Sequence, residues 1–388
     1  MHDMFEDTPE LHKDGYDNRE RAETILTEKF GDRIKPTERA ADDIRRFKDG
    51  SFGMSEMGMM LYTNGYNPRG ESAHYRNGMV YCDESCIFGI GYFAKERESN
   101  GHCMIVAPRG DKVVDKIREV IATLRNQEVG LSSAYIRQLD LGMYNSFLKE
   151  GMEPIASDPW HLQALEEDET FPHRIIPLDE VVDVGNKDGE IIKKLSLPDQ
   201  RGFREKNLRA YGRFTRFLKR NNLRFETEPY TYSEPMCAEA KTLVESFFAN
   251  RRQQGNLVGS SAEDYFPLIY QAPSGQNEKD YFSYLGRLVD TQGSRFPVAF
   301  FASERLGERK AGNYASVSMR FPRFAQLKGW NEEGYTAITQ YAWLDVLLKL
   351  QKRGITELDS GGSETAELDK QKEQLGGMPE KTYWAVMH

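Results

Sequence analysis

Two stretches of the chain, roughly 220 residues apart, run through the same order of elements, and a repeated unit of that size leaves few folds open. In the first, Val113, Val114, Ile117, Val120, Ile121 and Leu124 recur at helical spacing from Asp111 onward. A short strand pattern follows at Leu131 to Ile136, then a second helix pattern at Leu139 to Lys149. Gly151 stands where that helix should end, and Met152 to Ile155 reads as a strand. In the second stretch, Tyr335 to Lys352 forms a long helix pattern with Ile338, Tyr341, Leu344 and Leu348 on one stripe. Gly354 closes it, Ile355 to Asp359 makes a strand, and Thr365 to Leu375 makes a helix ended by Gly376-Gly377. Thr382 to Met387 is the last strand. The strand runs ahead of each stretch, Cys103 to Ala107 and Phe296 to Ala302, are expected to correspond as well. The pattern predicts an α/β (α+β) protein of two similar halves in tandem, each a mixed central sheet flanked by helices.

Length agrees, since 388 residues exceed what one ordinary core serves. Residues 1–50 are charged and poor in branched apolar side chains. They are expected to be a helical or partly disordered extension, with short helices at Arg19 to Lys29 and Thr37 to Lys48 and disorder in the first fifteen residues. Residues 51–185 form the first half, opening with the strand runs Met79 to Tyr81 and Ile87 to Phe93. The acidic and proline-bearing stretch Glu166 to Leu197 places the junction near 185, and 186–388 form the second half.

No run of about eighteen apolar residues occurs, so no membrane-spanning helix is expected. The acidic, polar start lacks the basic and apolar regions of a signal peptide, and a cytoplasmic location is expected. Four cysteines, Cys82, Cys86, Cys103 and Cys237, are too few for a disulfide scaffold and fit a reducing compartment. Cys82, Cys86, His102 and Cys103 lack the spacing of a matched zinc site, so no metal is expected. Hydrolase and NTPase signatures of the G-x-S-x-G and G-x-x-x-x-G-K-[ST] types are missing, and Gly89-Ile90-Gly91 is only part of a dinucleotide fingerprint.

The net charge of −9 argues against a protein that coats nucleic acid over its whole surface, yet one segment is strongly basic. Residues 201–224 hold nine Lys or Arg against one acid, Glu205. Lys206, Arg209, Arg213, Arg216 and Arg220 are spaced to form one helical stripe, while Leu208, Tyr211, Phe214 and Leu218 fall on another face suited to burial. Two readings stay open: a solvated basic face, or a ridge that contacts the phosphates of a tRNA or another polyanion.

The stretch Ile355 to Glu364 carries the other signal. A strand runs into Gly361-Gly362, and a helix follows with Ser363 or Thr365 as candidate N-cap. Glycines there permit positive φ and close approach of a ligand to the backbone, and free N–H groups at a helix start hold carbonyl or phosphate oxygens. Asp359-x-Gly361-Gly362-Ser363-Glu364, followed by Leu368, Lys372, Leu375 and Gly376, resembles the closing signature of FemABX-type and related GNAT proteins, including the tandem GNAT domain that ends phosphatidylglycerol lysyltransferases. Arg204 to Leu223 resembles that family's basic helix. Phe296 to Ala302, Tyr314 to Phe321 and the helix from 335 resemble its central strands and crossover helix, so the resemblance covers residues 180–388 and more loosely 75–180.

The resemblance implies two GNAT-like domains and an acyltransferase that moves an aminoacyl or acyl group from an activated donor to an amine or hydroxyl. The active site is expected in the second half. It implies that Lys372 contacts a phosphate or the developing charge, and that Gly361, Gly362, Ser363 and Glu364 frame the site. Asp359 is the candidate base, and Tyr341 or Tyr383 a proton donor or else a core aromatic. Lys206, Arg209, Arg213 and Arg216 would hold the donor. Acetyl-CoA-binding GNATs carry Q/R-x-x-G-x-G/A, whereas Gln326 to Asn331 ends in Asn, and Pro108-Arg109-Gly110-Asp111 also departs from it. Aminoacyl-tRNA is therefore the expected donor co-substrate, with acyl-CoA and N-acetyl transfer as the alternative and a non-catalytic nucleic-acid-binding scaffold as a third reading. No tightly bound cofactor is implied, and the acceptor is a small molecule, a peptide or a nucleic-acid base.

Overall fold

The computed structural model describes residues 13–63, 78–94, 101–125, 129–155, 172–178, 181–187, 190–195, 201–253, 262, 265–270, 280–318, 327, 335–363 and 366–388. The chain divides into two units. The first comprises residues 1–67, 71–162 and 382–388, and the second residues 68–70 and 163–381. The boundary thus falls near 162, not 185, and the last strand belongs to the first unit.

In the first unit, β1 (Ile34–Pro36), β2 (Met79–Cys82), β3 (Cys86–Ala94) and β4 (Gly101–Gly110) run antiparallel to their neighbours. The β2–β3 turn is set by Asp83, whose carboxylate accepts from the Ser85 and Cys86 amides at 2.7 and 2.9 Å. β4 pairs in parallel with β5 (Leu131–Leu139), and the crossover between them is α4 (Val113–Leu124). The periodic residues Val113, Ile117, Val120, Ile121 and Leu124 are buried on the sheet, as the spacing predicts. After α5 (Leu141–Lys149) comes β6 (Glu153–Ile155), but β6 does not touch β5. Strand β16 (Tyr383–Met387) lies between them, antiparallel to both. Ala22, Leu26 and Phe30 of α1 (Lys13–Phe30) join α4 and Phe147 of α5 in one core. Ile44 of α2 (Ala41–Phe47) and Met59 of α3 (Glu56–Thr63) join a second core with Val80, Met104, Val106 and Trp384. The extension expected over residues 1–50 is thus, where described, part of the first unit's core.

The second unit repeats the plan. Strands β10 (Arg224–Pro229), β11 (Tyr284–Val289), β12 (Arg295–Arg305) and β13 (Lys310–Ser318) are antiparallel, and β13 pairs in parallel with β14 (Glu357–Asp359) through α9 (Tyr335–Lys352). Strand β7 (His173–Pro177) occupies the place that β16 takes in the first unit, between β14 and β15 (Met378–Glu380). Each sheet therefore has seven strands in equivalent order, with one parallel pair and one strand drawn from elsewhere in the chain. This alignment corrects the expected correspondence: Cys103 to Ala107 on β4 matches β13, while Phe296 to Ala302 on β12 matches β3. Helix α6 (Arg201–Arg220) packs on α9 through Phe214, Phe217 and Ile338, and it also meets α10 (Ala366–Gln374). Helix α7 (Glu234–Gln253) covers β12 and β13, and buried Arg287 ties it to β10 through Glu239 and Glu228. A hairpin of β8 (Val181–Lys187) and β9 (Glu190–Leu195) fills part of the stretch expected as a junction.

Candidate active site

In the second unit the parallel pair β13–β14 is short. Lys310, Ala311 and Gly312 pair with Glu357, Leu358 and Asp359, after which β13 continues while the chain beyond Asp359 turns away. That turn is Ser360–Ser363. Ser360 donates to the Arg174 carbonyl from both its amide, at 2.9 Å, and its hydroxyl, at 2.8 Å. Gly361 takes φ +70°, the left-handed region that the sequence assigns to glycine here. Its amide donates to Asp359 Oδ1 at 2.9 Å.

Asp359 is 1% exposed and faces a histidine and a lysine. His173 Nδ1 lies 3.1 Å from Oδ1, and Lys310 Nζ is 3.7 Å from Oδ2. Burial pushes the Asp359 carboxyl up, but His173, Lys310 and the Gly361 amide outweigh it and hold it below the ordinary value of 3.8. A carboxylate stabilised in its ionised form is a weak proton acceptor, so its geometry fits orienting His173 better than acting as the base. Linkage gives a test. A depressed folded pKa contributes stability above the unfolded value, which is lost as pH falls through the folded one. Urea unfolding from about pH 6 to pH 2 should show wild-type stability falling below about pH 4, and Asp359→Asn should be less stable at neutral pH and flatter across that window.

Lys372, 9% exposed, turns inward from α10. Its ammonium donates to the Gly361 carbonyl at 3.1 Å and to the Gly362 carbonyl. The side chain thus clamps the glycine turn. Beside it, Arg174 forms a paired ion bridge with Asp369 of α10 at 2.9 and 2.6 Å and reaches the Gly377 carbonyl at 3.2 Å. Lys372→Met keeps the length of the side chain but leaves two carbonyls without this donor, and should cost about 2 kcal/mol. A melting temperature lower by about 4–8 °C is expected, measured by thermal unfolding.

The Ser363 hydroxyl is buried without a partner, so it caps no helix, and Glu364 lies outside the described residues. The buried polar atoms of this unit that lack partners also include Arg213 Nε on α6 and Gln340 Oε1 on α9. Arg209, Arg216 and Arg220 are exposed along α6 as the stripe predicts, while the side chain of Lys206 lies outside the described residues. Tyr341 packs its ring on Phe214 and Phe225, at centroid distances of 4.7 and 5.3 Å, which is the core-aromatic reading. Tyr383 stands on β16 in the first unit's sheet and stacks on Tyr144 at 4.8 Å.

Sequence reasoning missed His173, Arg174, Lys310, Asp369 and Gln340. The signal for the first two was the run His173-Arg174-Ile175-Ile176 between Pro172 and Pro177, a strand read as junction. Among the described residues no three His, Cys, Asp or Glu side chains gather as metal ligands. The four cysteines are buried and free, and burial pushes the Cys86 and Cys103 thiols up to about 12. Among the described residues no helix is long and apolar enough to cross a membrane. Of Gln326 to Asn331 only Leu327 is described.

Neither a family profile nor a curated protein matches the sequence. Solved structures do match the fold. FemX is 10% identical, covers 91% of this chain and 96% of its own, and has a TM-score of 0.53. The fold is FemABX-like GNAT. A conserved protein of unknown function from Bacteroides thetaiotaomicron is 13% identical, covering 92% of this chain and 99% of that one with a TM-score of 0.53. The C-terminal domain of a putative lysylphosphatidylglycerol synthetase from Agrobacterium fabrum is 11% identical, with coverage of 91% and 92% and a TM-score of 0.50. This FemABX-like GNAT fold spans both units, which agrees with the repeated strand order.

Proposed function

We propose that the protein is an acyltransferase whose second unit moves an aminoacyl group from aminoacyl-tRNA to an amine or hydroxyl acceptor. The observation that carries the donor reading is the placement of the basic helix. Helix α6 presents Arg209, Arg216 and Arg220 outward and packs on α9 and α10, the helices that follow the parallel strands β13 and β14. A polyanion held on that ridge lies beside the turn where the parallel pair opens. The Agrobacterium fabrum neighbour's name, a lysylphosphatidylglycerol synthetase, adds support for aminoacyl rather than acetyl transfer.

In this reading the acceptor nitrogen or oxygen attacks the donor ester carbonyl carbon. The bond to the tRNA ribose oxygen breaks, that oxygen leaves as a hydroxyl, and the acceptor loses one proton. His173, oriented by Asp359, is the group suited to carry the proton. Arg174, Asp369 and Lys372 fix the turn that shapes the site. The unpartnered Ser363 hydroxyl is a ready donor for the oxyanion.

One observation favours acyl-CoA as a second reading. In the first unit, Gly110 and Lys112 take φ of +102° and +56° just before α4, a turn that opens a helix start toward an anion. A donor assay separates the two. The protein is incubated with an extract of its source cells and either a mixed pool of radiolabelled charged tRNA or labelled acetyl-CoA. Label from tRNA supports the proposal, label from acetyl-CoA alone moves the assignment to N-acetyl transfer, and tight RNA binding with neither donor leaves a non-catalytic scaffold.

A further inference from the structure

The two seven-stranded sheets end in four edge strands, and three of these are short and carry a proline. Strands β1 (Ile34-Lys35-Pro36), β6 (Glu153-Pro154-Ile155) and β15 (Met378-Pro379-Glu380) each hold three residues, one of them without an N–H. Strand β10 is the exception. It spans six residues, Arg224–Pro229, is exposed or half-buried along its length, and has its proline only at the end. An open edge of that length is a template for another strand.

The pairing of β10 with β11 fixes which backbone groups face outward. The Tyr230 amide donates to the Ser283 carbonyl at 2.8 Å, and the unbroken register makes Glu228, Glu226 and Arg224 the hydrogen-bonded residues of the ladder. The N–H and C=O groups of Phe225 and Thr227 therefore point away from β11. Lys349 of α9 donates to the Thr227 carbonyl at 2.8 Å. Among the described residues nothing meets the two Phe225 groups or the Thr227 amide.

These open groups are self-complementary. In a two-fold antiparallel pairing centred on Phe225, each Phe225 donates to and accepts from its counterpart. Thr227 then stands opposite Leu223 of the second copy, and its amide reaches that carbonyl. The two groups that would complete this pair are already engaged, the Thr227 carbonyl by Lys349 and the Leu223 amide by the Leu218 carbonyl at 2.9 Å. The same register sets exposed Arg224 opposite Glu226 of the copy, twice over. Arg224 already reaches Glu226 of its own strand at 2.6 Å, so these side chains need only exchange partners. Centring the pair on Glu226 would set that carboxylate against its own copy, and centring it on Thr227 would need the carbonyl that Lys349 holds.

We propose that β10 is a self-association edge, through which two copies of this chain join their second units by antiparallel pairing centred on Phe225. Nothing in this contact requires either unit to transfer acyl groups.

The test uses the intact protein. Sedimentation velocity from about 1 to about 200 µM should show a reversible monomer–dimer equilibrium with a micromolar Kd. Over the same range, residue-level hydrogen exchange of the wild type should slow at the Phe225 and Thr227 amides. Glu226 serves as the control, since its amide bonds to β11 in either state. Arg224→Glu alone and Glu226→Arg alone each set like charges across the edge, and each should weaken self-association at least about tenfold. An equimolar mixture of the two variants restores both Arg–Glu pairs and should form the dimer again. A monomer at every concentration, a dimer whose Phe225 and Thr227 amides exchange as in the monomer, self-association unchanged by Arg224→Glu, or a mixture no tighter than its components would overturn the proposal.

Discussion

A chain ended after Lys381 is expected to lose the fold of its first unit while the second stays folded. Strand β16 lies between β5 and β6, and it buries Trp384, Ala385 and Val386. Trp384 and Ala385 belong to two different cores of the same sheet, so both lose a member at once. Losing a buried Trp side chain alone costs about 3–5 kcal/mol, against a typical whole-domain stability of about 5–15 kcal/mol. Removal of the strand also bares the backbone groups of β5. Hydrogen exchange followed by mass spectrometry should show protection lost in β4 and β5 and kept in β12 and β13, whose cores contain nothing beyond Leu375. Unchanged protection in β5 would mean that the strand is dispensable.

That expectation rests on a feature which the sequence hides. Periodicity within a segment is local: the apolar stripe of α4, the exact span of α9 and the glycine stops at Gly151, Gly354 and Gly376 were all legible. Which sheet a strand joins is settled by packing over the whole chain. Tyr383 to Met387 follows β15 in sequence by two residues, so nothing local says that it crosses to β5. The same holds for His173 to Pro177, whose five residues, preceded by one proline and ending in another, look like junction until β14 and β15 pair with them.

The site was legible to a similar depth. Asp359 and the two glycines stand out because a strand must end and φ must turn positive there. Their partners did not, since His173 and Lys310 approach from distant segments and only the fold brings them to the carboxylate. Lys372 shows the limit of a motif. Its position was visible, but its direction, inward onto two carbonyls, depends on how α10 lies over the turn.

Replacing the exposed Arg209, Arg216 and Arg220 together by Gln should weaken tRNA binding by about 100-fold, about one kcal/mol for each charge-assisted contact removed. The stronger diagnostic is salt. Each phosphate contact adds about 0.7–0.9 to the slope of log affinity against log salt, so the triple variant should be shallower by about 2–3. Filter binding across a salt series measures both. An unchanged slope would make the stripe a solvated face, and the helix would then serve only the core formed by Phe214, Phe217 and Leu218.

The most direct measurement sets wild-type protein and this triple variant side by side in transfer of label from charged tRNA into acceptor at one salt concentration. Protein-dependent transfer by the wild type is expected, with loss of most of it in the variant. Equal transfer by both proteins, or label arriving from acetyl-CoA and never from tRNA, would contradict this expectation.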